Sequence, residues 1–162
     1  MKTVLNLEIG QIGIFVAIGP LSTLIGNIIG GFLTDKYGRK GCLFIFLGLN
    51  LIFASSLIFA NSWQKLIILW SIIGFLHGGH YTIISAMFMD ITNPKVGAAQ
   101  YSILSGLTNV GEMGGMSFSG TLITNLGFSR VFLYSGWMYG PLLLILYFIH
   151  LKSDKNLSIA LE

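Results

Sequence analysis

Long apolar runs separated by short polar connectors set the pattern of this chain. Ile9 to Leu33 forms the first run, interrupted by Gln11, Ser22, Thr23 and Asn27. Cys42 to Ala60 forms the second, with Asn50, Ser55 and Ser56 as its polar points. Leu66 to Met89 is the third and ends at Asp90, Gly97 to Leu126 is the fourth and least apolar, and Val131 to Leu151 is the fifth. A helix needs about 20 mostly apolar residues to cross a bilayer. The pattern therefore predicts five spans, at about 9–33, 42–60, 66–89, 97–126 and 131–151. Barrel strands would alternate over about ten residues between polar turns, and these runs are continuous. The expected fold is an all-α membrane protein, a five-transmembrane-helix bundle over residues 9–151. Residues 1–8 are then an extracytoplasmic N-terminal segment and 152–162 a cytoplasmic tail.

Gly19-Pro20 and Gly140-Pro141 predict kinks inside the first and fifth runs, because proline removes a backbone donor. Neighbouring helices can satisfy the carbonyls so freed. Thr92-Asn93-Pro94-Lys95 reads as a turn that stops the third helix. Trp63, in the connector Asn61 to Lys65, suits an interfacial anchor, and Trp137, Met138 and Tyr139 read as packing or anchoring residues. Gly26, Gly30 and Gly31 leave a smooth stripe where another helix backbone can approach. Gly111-x-x-x-Gly115 and Gly136-x-x-x-Gly140 repeat that spacing, which arises often by chance in an apolar background.

Composition moves the picture from helices to lipid. Of 162 residues, 54% are hydrophobic and only 9% charged, with a mean hydropathy of +0.80. A soluble domain carries about a quarter of its residues charged, so too little polar surface exists to cover this chain in water. The net charge of +3 is accordingly no nucleic-acid footprint. Its cations lie in short connectors, where they set orientation. Lys36, Arg39, Lys40, Lys95, Lys152 and Lys155 fall on one side and Lys2, Lys65 and Arg130 on the other. Six against three puts the 34–41 turn and the C-terminus in the cytoplasm of a cell-membrane protein. Five spans then leave the N-terminus outside, awkward without a cleavable signal peptide, and an upstream helix would remove the difficulty. Cys42, the only cysteine, excludes an intramolecular disulfide and reads as an apolar filler. No phosphate loop or ligand cluster points to a nucleotide, a metal or any other cofactor.

The stretch Gly30-Gly31-Phe32-Leu33-Thr34-Asp35-Lys36-Tyr37-Gly38-Arg39-Lys40-Gly41 holds three cations and one acid within six residues. Its pattern at Gly31, Leu33, Asp35, Lys36, Gly38, Arg39 and Lys40 resembles the signature cytoplasmic turn of the major facilitator superfamily. Gln100 to Leu107 with Gly111, Gly114, Gly115 and Gly120 is similar to helix eleven of these transporters, and Gly127 to Ser135 to the start of helix twelve. The muropeptide-permease branch looks nearest. The resemblance implies an incomplete half of an inverted-repeat fold, with helices eight to twelve present. Helix seven and the N-terminal half would be missing partners, beside lipid and a small-molecule substrate. The strictness of the turn pulls the other way, toward the N-terminal half. It also implies that contacts of the turn hold one state of an alternating-access cycle.

Within the turn, Gly38 supplies backbone freedom for a tight reversal, Asp35 suits a helix N-terminus, and Arg39 can fork onto a carboxylate. The obvious carboxylate is Asp90, at the cytoplasmic end of the third run. Lys36 and Lys40 are better read as fixing topology. Glu112 is the one acid far from a span end, and an ionisable group at membrane depth is costly. At helical spacing it shares a polar stripe with Tyr101, Ser105, Thr108, Asn109, Gly115 and Ser119. Such a stripe should line a cavity or a helix contact, with Glu112 carrying a coupled proton, binding a cation, or packed as a protonated donor. His77, His80 and Tyr81 fall within one turn, and the family helix they match lines the substrate cavity, so they become candidate substrate contacts. Two histidines three apart with no third ligand make a poor metal site, and a histidine bonded to a backbone carbonyl is the commoner outcome.

Two other readings compete with an ion- or proton-coupled transporter. Gly115-Met116-Ser117-Phe118-Ser119-Gly120 with two histidines suggests an intramembrane serine protease, but the expected Gly-x-Ser-Gly is absent, and the chain reads as no enzyme. A standalone scaffold or half-transporter that oligomerises through its glycine stripes shares every feature of the first reading.

Overall fold

The computed structural model describes residues 8–148. The expected N-terminal segment up to residue 7, the end of the fifth run at 149–151, and the tail at 152–162 lie outside the described residues. The order is α1 (Ile9–Tyr37), α2 (Arg39–Ser56, extended by a 3-10 turn at Leu57–Phe59), α3 (Trp63–Ile91), α4 (Gly97–Leu126), α5 (Phe128–Trp137) and α6 (Tyr139–Phe148). No strand occurs among the described residues.

Local chemistry explains the ends. Gln11 Oε1 accepts the Glu8 backbone N–H at 3.0 Å at the start of α1. Ser62 Oγ caps α3 by accepting the Lys65 N–H at 3.5 Å. Asn93 Oδ1 accepts the Lys95 N–H at 3.0 Å and so shapes the proline turn before α4. The two tightest links are single glycines: Gly38 between α1 and α2 and Gly127 between α4 and α5, with φ of +84° and +79°. Side chains rarely adopt that conformation, and each reversal needs it.

Four segments are long and apolar enough to cross a membrane: Ile9–Tyr37, Arg39–Phe59, Trp63–Ile91 and Arg130–Phe148. α4 has ample length at 30 residues, yet its serines, threonines and glycines hold it below the apolarity of the other four. The first helix runs past Leu33, so Asp35 and Lys36 occupy its last turn and the connector shrinks to Gly38. Helix α1 continues through Pro20. The fifth run breaks at Met138, before Gly140-Pro141. Pro141 then sits in the first turn of α6, where its missing N–H costs nothing.

Packing is organised around α3. It lies along α1, and α2 packs on it while also holding α5 and α6. One apolar cluster joins Cys42, Leu43, Phe46 and Leu47 of α2 to Leu76 and Ile83 of α3 and Leu146 of α6. A second joins Phe15, Leu57 and Leu66, with Trp63 and Trp70 against it, so Trp63 packs inward. Trp137 is exposed. Cys42 is a buried filler whose thiol donates to the Leu33 carbonyl at 3.3 Å.

In lipid the hydrophobic effect does not pull helices together, so close packing must. The α1–α3 contact is a seam of backbones. Gly19, Gly26 and Gly30 of α1 meet Gly74, Phe75, Gly78 and Gly79 of α3. A Cβ on Gly30 would lie 2.6 Å from the Gly79 Cα. Gly31 sits beside the seam, its Cβ position 3.8 Å from Thr82 Cγ2. Gly136 closes on Ser55 of α2, whereas Gly111 and Gly115 face open space. Across the seam Thr82 Oγ1 donates to Asn27 Oδ1 at 3.1 Å. Such interhelical bonds average about 0.6 kcal/mol in membranes. Thr82→Val should therefore lower unfolding stability in detergent by that order, measured by thermal or denaturant titration.

Candidate functional site

Arg39 is the first residue of α2 and faces an electrostatic problem. A cation at a helix N-terminus opposes the macrodipole, and no acid occupies the first turn of α2. The answer comes from α3. The Arg39 guanidinium is ion-paired with Asp90, and its Nη1 also donates to the Ala86 carbonyl at 2.7 Å. Ala86 and Asp90 are one turn apart near the C-terminal end of α3, whose dipole favours a cation. Sequence spacing flags the carboxylate; nothing in it flags the carbonyl.

The other residues of the charged turn are held more loosely. Asp35 is exposed and forms no ion pair or hydrogen bond among the described residues. Lys36 lies over the Tyr37 ring, 5.2 Å from its centroid. Lys40 Nζ donates to the Tyr147 carbonyl of α6 at 3.3 Å.

The histidines of α3 divide between two environments. His77 and Tyr81 are exposed, and their rings stack at 6.4 Å. His80 turns into the bundle and is buried between α2 and α6. Its ring meets His77 edge-on at 4.9 Å and Tyr139 at 6.2 Å. Its Nδ1 lies 3.1 Å from the Leu76 carbonyl and 3.4 Å from Asn50 Nδ2. Asn50 is fully buried, and its Nδ2 also donates to the Phe46 carbonyl at 3.0 Å. The sequence marks Asn50 only as a polar point of its run and Tyr139 only as a packing or anchoring residue. A polar residue inside an apolar membrane run was the available signal for Asn50. Gly78 and Gly79, beside the histidines, belong to the seam with α1 and to Phe46 of α2.

Helix α4 buries none of its residues, and it touches chiefly α3 and α5, its neighbours in the chain. The Thr108 hydroxyl donates back to the Leu104 carbonyl at 3.1 Å. Asn109 and Glu112 are exposed, and Glu112 lies within electrostatic reach of His77. The structure thus brings Glu112 toward His77 but leaves Asn109 and Thr108 without a partner from another helix among the described residues.

Membrane-length helices, a glycine seam and a charged link pinned to a neighbouring helix end define a multi-pass membrane protein. The chain belongs to the Major Facilitator Superfamily, whose family model matches residues 1–160. It is similar to an uncharacterized MFS-type transporter, YttB, of Bacillus subtilis (strain 168), with 30% identity over 136 residues. That match covers 84% of this chain and 34% of the relative. It is also similar to the human organic cation/carnitine transporter 2, with 26% identity over 76 residues, covering 47% of this chain and 14% of that protein. The chain therefore spans about a third or less of the length of these relatives. No solved structure matches it significantly.

Proposed function

We propose that the chain forms part of a secondary transporter that moves a small solute across the cell membrane by alternating access, coupled to a proton or another ion. The reading assigns it helices eight to twelve, with helix seven and the N-terminal half as the partners needed for activity and the 34–41 turn and C-terminus on the cytoplasmic side. Transport of this kind needs one half to rock against the other around a central site.

The observation that carries the proposal is the hold of Arg39 on the end of α3 through Asp90 and the Ala86 carbonyl. It joins two spans at one membrane face by contacts that can open and close without unfolding either helix. Gly31, Asp35, Gly38 and Arg39 form the working part of the turn, and Lys36 and Lys40 fix topology. Glu112, His77 and Tyr81 border the solute or proton pathway, with Asn109 and Thr108 on the same polar stripe; His80 stands behind them. Exposure of Asn109, Glu112 and Gly115 on the α4 stripe, none of whose residues is buried, fits a surface that the remainder of the transporter covers. The human relative is named for organic cations and carnitine, and the exposed acid Glu112 can attract such a cation, so quaternary ammonium compounds belong among the candidate solutes.

Uptake by the full-length parent in proteoliposomes tests this, with peptides, sugars, drugs and quaternary ammonium compounds offered with and without a proton gradient. Gradient-driven accumulation of one class is expected. Glu112→Gln should remove the dependence on the gradient while downhill exchange persists. Unchanged gradient-driven uptake by Glu112→Gln rules out the coupling role of Glu112, and no accumulation of any class argues against a coupled transporter.

A further inference from the structure

His80 is buried between α2 and α6, and its ring packs edge-on against the exposed His77. We propose that Asn50 and His80 form a buried positioning pair in which the Asn50 amide holds His80 in its Nε2–H tautomer and the His80 ring sets the orientation of His77. The link to transport rests on His77 bordering the pathway; the pairing itself does not.

Asn50 is held first by its own helix. Its amide could be placed either way round, but the Phe46 carbonyl lies 3.0 Å from the atom assigned as Nδ2. An oxygen there would face another oxygen, so the carbonyl selects the NH2 group. The second N–H of that group is left to serve His80 Nδ1, at 3.4 Å. Asn50 Oδ1 is buried without a protein partner, so the amide has no alternative hold on its surroundings.

His80 Nδ1 stands between two neighbours with opposite demands. The Asn50 amide needs it to accept; the Leu76 carbonyl, at 3.1 Å, needs it to donate. Distance favours Leu76, but satisfaction of the groups favours Asn50. Leu76 precedes His80 by four residues in α3, so its carbonyl already receives a backbone N–H in the helical pattern. If Nδ1 carried the proton, two N–H groups would point at each other and a fully buried donor would go unpaired. Buried donors are rarely left so. With Nδ1 as acceptor, both N–H groups of the fully buried Asn50 amide are used, and the proton sits on Nε2, which is not among the fully buried unpaired atoms.

The His80 ring fixed in this way presents a defined edge to its neighbours. His77 packs against it at 87° between planes, and Tyr139 closes the far side at 78°. His77 is thereby held from behind by a side chain from its own helix, itself held by α2 and α6. An exposed histidine on a single helix would otherwise sample several rotamers. A histidine supported this way enters the pathway with a set direction, as a positioned site requires.

The test reads the tautomer directly. The whole chain, labelled with nitrogen-15 in histidine and reconstituted in phosphatidylcholine bilayers, would be examined by magic-angle-spinning NMR. Spectra of His77→Gln and His150→Gln assign the signals. The expected native spectrum places His80 Nδ1 at the unprotonated position and Nε2 at the protonated one. Nδ1 found protonated in the native protein overturns the proposal without any variant. Asn50→Leu and Asn50→Val, which remove the amide donor, should each leave Leu76 as the sole partner of Nδ1 and move the proton there. Both should also shift or split the His77 signals, which a purely structural Asn50 would leave in place. Unchanged tautomer and unchanged His77 signals in the folded variants likewise defeat it. None of these readings depends on uptake, so a failed transport assay would count against the functional proposal alone.

Discussion

Gly26→Ala is expected to destabilise the bundle by about 3 kcal/mol, the upper end of the range for overpacking. The added methyl would run into the Phe75 carbonyl of α3. A side chain could swing aside, but this obstacle is backbone in the middle of a helix. α1 and α3 must therefore move apart, and the flanking contacts of Gly30 with Gly79 and of Thr23 and Asn27 with Gly78 loosen with them. Lipid offers no hydrophobic penalty to hold the separated helices together. Gly31→Ala provides the control, since its methyl reaches only ordinary contact with Thr82, and a change within about 0.5 kcal/mol is expected. Reversible unfolding of both variants in mixed detergent micelles makes the comparison. Equal losses at Gly26 and Gly31 would mean that the seam does not set the cost, since helix propensity favours alanine at both positions.

Arg39→Ala is expected to cost about 2–3 kcal/mol, as fits bonds made by a charged group, and Asp90→Ala only about 1 kcal/mol. The asymmetry follows from exposure. Arg39 and Asp90 are 26% and 46% exposed, so solvent screens their pairing and keeps it near the value of a surface ion pair. The bond to the Ala86 carbonyl is part-buried and survives when Asp90 is lost. The exchange Arg39→Asp with Asp90→Arg restores opposite charges but no donor for Ala86. It should recover roughly the smaller amount, about 1 kcal/mol, relative to Arg39→Asp alone. Unfolding titrations of the four variants and the native protein measure this. Complete rescue would leave the carbonyl without importance, and no rescue would dismiss the ion pair.

The charged link was readable because glycine, aspartate and arginine crowd into one short window between apolar runs. The all-helical class followed from run length, since lipid permits little but helices there. Other features are invisible to spacing. The glycines of α1 and those of α3 each show a pattern, but their mutual approach is tertiary and no single helix encodes it. His77 and His80 are neighbours on one helix surface, and the boundary between exposed and buried falls between them because α2 and α6 arrive on one side only. The break at Met138 lies before the proline that signals it, as a proline suits the first turn of a helix better than its middle. In α4, polar residues mark the helix without naming a partner, which is why its stripe reads more clearly than its purpose.

The single-residue connection at Gly38 has a mechanical consequence. One residue reaches no more than about 3.6 Å, so α1 and α2 share no slack. Gly38 offers two soft dihedrals, and the next residue, Arg39, is fastened to the end of α3. A tilt of α1 along α3 must become a turn of α2 about Gly38, or Arg39 must let go. Gly38 and the Arg39 contacts are thus adjacent in the chain, so α1 cannot tilt along α3 without either turning α2 or breaking those contacts.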